Sequence, residues 1–162
     1  MFQRRVDWAW LACLAALLMV TSAQATSRKK PTVAEGIVAI YVPMQEALAA
    51  DSVAAVKEKA GAIALKAAEA ASYGGDLSLF HGQIATAAQG MTAPDIDGLR
   101  EQFKPLSLAL SRLVEKVAVA GHGIYYCPMA DAYWVQVVGE VRNPYYGSKM
   151  LTCGELVQKV EE

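Results

Sequence analysis

The sequence predicts a mainly α-helical protein, an up-and-down four-helix bundle followed by a small β- and turn-rich C-terminal element. Between residue 33 and about residue 119, apolar residues recur every three or four positions, as they do along one face of a helix. After Gly121 this period is lost, and aromatic and β-branched residues stand between glycines and prolines, a composition typical of short strands and turns. Short links between successive helices favour an antiparallel bundle.

Residues 1–25 have the layout of a secretory signal peptide. Two arginines precede an uncharged apolar run from Trp8 to Val20, and Ala23-Gln24-Ala25 supplies the pattern of a cleavage site. The run is shorter than the roughly 20 residues that a transmembrane helix needs. We therefore expect export and cleavage after this pattern, with an uncleaved membrane anchor as the alternative. Cys13 would leave with the signal peptide, so the mature chain would keep two cysteines.

The charge and the motifs of the chain exclude several classes of function. Its 15 lysines and arginines and 16 aspartates and glutamates give a formal net charge of −1, which implies no basic face for nucleic acid. There is no nucleophile elbow, no H-E-x-x-H pattern and no phosphate-cradling glycine loop. The sequence therefore predicts a protein that is not an enzyme.

The helical pattern begins at Val33, after the polar stretch TSRKKPT. Pro43 lies inside this first helix and should kink or split it, because proline removes a backbone donor and crowds the preceding turn. The expected organisation of the mature chain is a flexible lead-in over residues 26–35 and a single domain over 36–162, with the bundle over about 36–120 and the Cys/Met region over about 121–162.

Cap signals and helix breakers mark the second and third helices. Asp51-Ser52 is a good N-cap signal for a helix from Val53 to Ala71, whose apolar stripe is largely alanine. The glycine pair that follows ends this helix, and Asp76 should cap a third helix over about residues 77–88.

The fourth helix carries the most regular apolar stripe. Pro94 stands at its start, where proline is tolerated, and the pattern runs to about Val119. Pro105 lies inside the stripe and should bend the helix. The closing segment GELVQKVEE is expected to form a short helix.

Two sulfur-bearing stretches carry the most distinctive chemistry. Cys127 and Met129 stand at positions i and i+2, and Met150 and Cys153 stand at i and i+3. Thiolates and thioethers are ligands that Cu(I) favours, and His122 would be an additional one. The alternative is a Cys127–Cys153 disulfide, the default for a pair of cysteines in an oxidising compartment, which would stabilise the fold by roughly 3 kcal/mol. The residues alone leave both interpretations open.

His81 is the other histidine of the chain. It stands on the third helix without a second ligand at i+4, and metal sites need several converging ligands. We therefore expect His81 to be a surface residue or a buried residue whose hydrogen bonds are satisfied.

Residues 125–160, YYCPMADAYWVQVVGEVRNPYYGSKMLTCGELVQKV, resemble the signature of a periplasmic domain-of-unknown-function family. That family has the pattern C-P-M, W-[LV]-Q, N-P-Y-[FY]-G and M-L-x-C-G. The helices are similar to it too, in YVPMQEALAADSVAAVKEKAGAI and in the R-x-x-F-x-x-L-S pattern of DIDGLREQFKPLSLALSRLVEKV, so the resemblance spans about residues 36–160. The chain departs from many relatives in having only ADAY between Met129 and Trp134, where they carry a longer insert.

The resemblance implies a periplasmic protein that handles heavy-metal ions. Such domains occur alone or appended to the adaptor subunits of CusB-type copper and silver efflux pumps, which makes such an adaptor the implied partner. The implied ligands of Cu(I) or Ag(I) are Cys127, Met129, Met150 and Cys153. The residues implied to shape or wall the site are Trp134, Asn143, Pro144, Tyr145, Tyr146 and Gly147.

The leading hypothesis is a soft-metal binding protein that sequesters the ion or passes it to an efflux system. The alternative is a non-catalytic envelope interaction module that has a structural Cys127–Cys153 disulfide and needs no metal.

Overall fold

The computed structural model describes residues 32–160, so the predicted signal peptide and most of the lead-in lie outside the described residues. The helices are α1 (Val33–Ala49), α2 (Val53–Ser72), α3 (Ser78–Gln89) and α4 (Ile96–Val117). Each helix packs against the next along the chain, and α1 also packs against α4. These elements confirm the prediction of a mainly helical protein. In the part of the chain that the structure describes, no helix has both the length and the apolar composition needed to cross a membrane.

A small antiparallel sheet follows the helices. Its strands are β1 (His122–Cys127), β2 (Ala132–Val137) and β3 (Glu155–Lys159), in the spatial order β2-β1-β3. A turn of 3₁₀ helix, Gly147–Lys149, lies in the connection between β2 and β3. The predicted closing helix is wrong over Glu155–Lys159, because so short a segment gains little from helix formation, whereas the free edge of β1 offers it a hydrogen-bonded ladder.

The first helix starts at a capping box. The Thr32 hydroxyl accepts a hydrogen bond from the Glu35 N–H at 3.2 Å, and the Glu35 carboxylate accepts one from the Thr32 N–H at 2.5 Å. Both bonds satisfy backbone donors that have no partner inside the helix. The last residues assigned to the flexible lead-in, 33–35, are therefore helical.

Neither internal proline splits its helix. α1 continues through Pro43 and α4 continues through Pro105, so the predicted split of α1 is wrong. Each proline removes one backbone hydrogen bond. On the buried face of α1, Tyr41, Met44 and Leu48 have no exposed surface, and burial of each such side chain contributes about 1.5–3 kcal/mol. Burial of the helix face therefore outweighs the missing bond.

Two predicted caps do not form. α2 begins at Val53 as predicted, but Ser52 makes no side-chain cap bond. Asp51 has a φ of 59° and directs its carboxylate to Arg100 instead. α3 likewise has no side-chain cap bond, and Leu77 rather than Asp76 occupies its N-cap position. Tertiary contacts of Asp51 have replaced the local role that its position in the sequence suggests.

A continuous series of aromatic contacts joins the helices to the sheet. Tyr41 of α1 stacks on Phe103 of α4 with ring centroids 5.2 Å apart, and Phe103 contacts Tyr145 at 5.7 Å. Tyr145 in turn meets Trp134 of β2 edge-on at 6.1 Å, and Trp134 stacks on Tyr125 of β1 at 5.4 Å. The helices and the C-terminal element therefore share one hydrophobic core.

Candidate functional site

The antiparallel pairing of β3 with β1 brings the two cysteines together. Cys127 is the last residue of β1, and Cys153 lies two residues before Glu155, which pairs with Tyr126. The two Sγ atoms lie 3.6 Å apart. Cys127 has no exposed surface, whereas Cys153 is partly exposed.

This separation of the sulfurs is compatible with two chemical states. A disulfide needs an S–S distance of about 2.05 Å, so a sulfur would move by about 1.5 Å to form one. Two thiolates on one tetrahedral ion, with metal–sulfur bonds of about 2.3 Å, lie roughly 3.8 Å apart. The hydrogen bond with Cys127, followed by burial, raises the pKa of the Cys153 thiol. A bound ion would therefore have to displace that proton, because only the thiolate is a ligand.

The two methionines lie in the same loops as the cysteines. Met129 lies in the β1–β2 turn and is 63% exposed. Its carbonyl accepts a hydrogen bond from the Tyr146 hydroxyl at 3.0 Å. Met150 is half-buried, and its carbonyl accepts a hydrogen bond from the Cys153 N–H at 3.1 Å. The backbone of both methionines is thus held beside the cysteine loops, while Met129 as a residue is largely exposed.

His122 lies at the other end of β1 from Cys127. Cys127 is five steps along the extended strand from His122, a distance of roughly 17 Å. The His122 Nδ1 lies 2.9 Å from the Ala120 carbonyl oxygen and 3.2 Å from that of Val119. The structure does not bring His122 to the cysteines. We therefore remove His122 from the predicted ligand set. Among residues 32–160, no three or more His, Cys, Asp and Glu side chains cluster closely enough to hold a metal ion.

Asn143 fastens the loop that carries Cys153. Its side-chain Nδ2 donates to the Cys153 carbonyl at 2.6 Å, and its Oδ1 accepts from the Tyr145 N–H at 2.7 Å. Its backbone N–H donates to the Leu151 carbonyl at 2.7 Å, and its carbonyl accepts from the Gly147 N–H at 3.2 Å. Asn143 is fully buried, so these bonds form without competition from water.

Trp134 and Tyr145 form the inner wall next to the cysteine loops. The Trp134 Nε1–H donates to the Gln136 side chain at 2.8 Å, and the Tyr145 hydroxyl donates to the Tyr133 carbonyl. Burial raises the pKa of Tyr145 well above its ordinary value, so the phenol remains a hydrogen-bond donor. Gly154, directly after Cys153, has a φ of +133°, and a Cβ at this position would overlap the Trp134 ring.

Arg100 of α4, the arginine of the R-x-x-F-x-x-L-S pattern, supports the site in a way that the pattern did not predict. It is only 4% exposed, yet it donates to the Pro144 carbonyl at 3.0 Å and to the Leu48 carbonyl at 2.9 Å. It also pairs with the carboxylate of Asp51 at 2.5 Å. Gly147, with a φ of +53°, lies so close that a Cβ there would overlap the guanidinium and that carboxylate. Arg100 therefore joins the C-terminal end of α1 to the N-P-Y-Y-G loop.

A signal for this role is present in the sequence. Arg100, Ser107 and Ser111 of α4 stand at helical spacing, and all three are buried on the same helix as the apolar stripe. The Ser107 hydroxyl is hydrogen-bonded to that of Tyr41, and Ser111 donates to the Ser107 carbonyl at 2.9 Å. Polar residues at core positions of a helix indicate specific partners, because an unpaired buried polar group is costly.

His81 departs from both predicted alternatives. It is only 6% exposed, and neither ring nitrogen has a hydrogen-bond partner within the described structure. Burial lowers the pKa of His81 below its ordinary value, so the ring is neutral at neutral pH. It is therefore neither a surface residue nor a satisfied one.

Comparisons of the chain with protein-family models, with curated proteins and with solved structures found no match. The resemblance of residues 125–160 to the periplasmic family stays a prediction from the motif.

Proposed function

We propose that this protein binds a soft ion, Cu(I) or Ag(I), in the periplasm through the thiolates of Cys127 and Cys153, and that it sequesters the ion or passes it to an efflux system without catalysing a reaction. The observation that carries the proposal is the 3.6 Å separation of the two sulfurs. It lies close to the roughly 3.8 Å expected for two thiolates on one tetrahedral ion.

Two thioethers complete the proposed ligand set. The Met150 carbonyl accepts a hydrogen bond from the Cys153 N–H, and Met129 is two residues beyond Cys127. Sulfur ligands of both kinds favour a soft ion over the hard cations that prefer oxygen. The exposed side chain of Met129 can turn toward an arriving ion without disturbing the core, whereas Cys127 is already buried.

The proposed partner is the periplasmic adaptor of a heavy-metal efflux pump, which rests on the motif resemblance. We also propose that the four helices form an up-and-down bundle that serves as the platform of the site. The packing of each helix against the next supports this arrangement.

An anaerobic Cu(I) titration of the reduced mature protein against a chromophoric chelator tests the metal proposal. We expect one ion per chain, and we expect Cys153→Ser to abolish uptake. Met129→Leu and Met150→Leu should weaken binding by about tenfold or more, since each removes a soft donor at nearly constant volume. Met91→Leu is the matched control, because Met91 is a buried methionine of the loop between α3 and α4. Uptake no greater than that of the Cys153→Ser variant would refute the proposal.

The same sulfur distance favours a second candidate, an envelope interaction module stapled by a Cys127–Cys153 disulfide. A bond between these residues would close a loop of the size that stabilises a fold by roughly 3 kcal/mol. If this candidate is right, we expect no free thiol in the protein as isolated and a lower melting temperature after reduction. A thiol assay on the freshly purified, unreduced protein distinguishes it from the metal proposal.

A further inference from the structure

We infer that Cys153 and Cys127 form an ordered thiol–disulfide exchange pair, in which Cys153 is the attacking sulfur, Cys127 is the resolving sulfur, and the substrate is an external disulfide. This inference goes beyond a fixed structural staple, because it assigns a role to each sulfur and makes the bond reversible. It does not depend on metal binding, but it bears on it, because the oxidised pair would have no thiolate to offer to a soft ion.

The unequal exposure of the two sulfurs gives the order of the steps. Access to the attacking thiol is one of the factors that set the rate of exchange. Cys153 is partly exposed, whereas Cys127 has no exposed surface and is surrounded by the core that contains Trp134. An incoming disulfide can therefore reach Cys153 and cannot reach Cys127 in the folded protein.

The positions of the two residues in the fold make the second step intramolecular. Cys127 is held in the β1 ladder, opposite Ala132. Cys153 lies before β3, outside the ladder, and its backbone is fixed by bonds to Met150 and Asn143. The 3.6 Å between the sulfurs exceeds a disulfide bond by only about 1.5 Å. Because Cys153 is partly exposed, rotation of its side chain can bring its sulfur closer by this distance.

The reaction balances with the disulfide as the oxidant. The Cys153 thiolate attacks one sulfur of R–S–S–R, the S–S bond breaks, and the first R–S⁻ leaves and is protonated. The Cys127 thiol then gives its proton to water, its sulfur attacks the Cys153 sulfur of the mixed disulfide, and the second R–S⁻ leaves and is protonated. The two thiols of the protein are oxidised by two electrons, and one external disulfide is reduced to two thiols.

Oxidised glutathione is the probe, with the reduced protein kept free of metal. Cys127→Ala should accumulate a stable adduct of one glutathione on Cys153, detected by mass spectrometry. Cys153→Ala should react at least about tenfold more slowly while folded, because its remaining thiol is buried, and should match the other variant in denaturant. The wild-type protein should form the internal disulfide, retain no glutathione, and return to two thiols with dithiothreitol.

Equal rates for the two variants in the folded state would overturn the order, and a glutathione adduct that persists on the wild-type protein would overturn the resolving role of Cys127. If Cys127→Ala does not fold, brief exposure of the wild-type protein to limiting iodoacetamide, followed by peptide mapping, answers the same question, with Cys153 expected as the first residue modified. Because no metal is present, failure here leaves the Cu(I) titration unaffected. Failure of that titration likewise leaves the exchange result standing.

Discussion

Replacement of Arg100 by methionine is expected to destabilise the fold by about 2–4 kcal/mol, chiefly because it removes the donor of a buried carbonyl. The guanidinium is 4% exposed and serves four acceptors, which are the carbonyls of Leu48 and Pro144 and the carboxylates of Asp51 and, at 3.3 Å, Asp97. Methionine retains part of the apolar stem but donates no hydrogen bond.

The Pro144 carbonyl accounts for most of this loss, because a buried acceptor that loses its donor costs about 1–3 kcal/mol. The Leu48 carbonyl loses the charged donor but keeps the Asp51 N–H at 3.3 Å. The Asp51 side chain is 39% exposed, so water solvates its carboxylate when Arg100 is gone, and the ion pair itself contributes about 0.5–1 kcal/mol. We therefore expect Asp51→Asn to cost far less than Arg100→Met.

Equilibrium unfolding in urea, followed by circular dichroism, measures both variants against the wild-type protein. Arg112→Met is the matched control, because Arg112 is an exposed arginine of the same helix, and such substitutions change stability by less than about 0.5 kcal/mol. The hydrogen bond from Arg100 lowers the pKa of Asp51, so stability from this pair is present above the ordinary pKa of aspartate and is lost as pH falls below it. A loss below about 1 kcal/mol for Arg100→Met, or equal losses for Arg100→Met and Asp51→Asn, would refute this account of the buried arginine.

Three further changes test other parts of the structure by the same unfolding assay. Gly154→Ala should cost about 2–4 kcal/mol, because alanine is strained at a φ of +133° and its Cβ would overlap Trp134; a neutral result would contradict that packing. Asn143→Ala should cost about 2–4 kcal/mol, because it leaves the Cys153 carbonyl and the Tyr145 N–H without partners; a cost under about 1 kcal/mol would show that water replaces the amide. His81→Leu should flatten the loss of stability below about pH 6.5, since the unfolded chain binds a proton that the buried ring resists; an unchanged slope would contradict it.

The four helices were predictable because their signals are local. The Asp51-Ser52 signal places the start of α2 at Val53, and the apolar period ends α4 within two residues of the predicted Val119, since a helix forms its hydrogen bonds within one stretch of chain. Strand β3 was not predictable in this way. Its sequence, ELVQK, has no alternation of apolar and polar side chains, and all five residues are exposed. The segment is a strand only because β1 lies beside it.

Both interpretations of the sequence required the two sulfur loops to lie together, but the contacts that hold them together were not predicted. Cys127 and Cys153 approach through the pairing of β1 with β3, a contact between distant segments that no local pattern reports. The same limit applies to Asp51, which has the sequence context of a helix cap and forms an ion pair with Arg100 instead. Local preferences yield where a long-range contact is stronger.

The two cysteines are held by different parts of the molecule, and this difference links the helices to the site. Cys127 depends on the β1–β2 ladder. Cys153 lies outside the ladder and depends on Asn143, whose loop is fastened through the Pro144 carbonyl to Arg100. Loss of Arg100 should therefore release Cys153 and leave Cys127 in place. In the Arg100→Met variant, the folded fraction should oxidise to the internal disulfide more slowly than wild type, because the sulfurs spend less time in contact. An unchanged rate of disulfide closure would mean that the loop holds Cys153 without help from the helices.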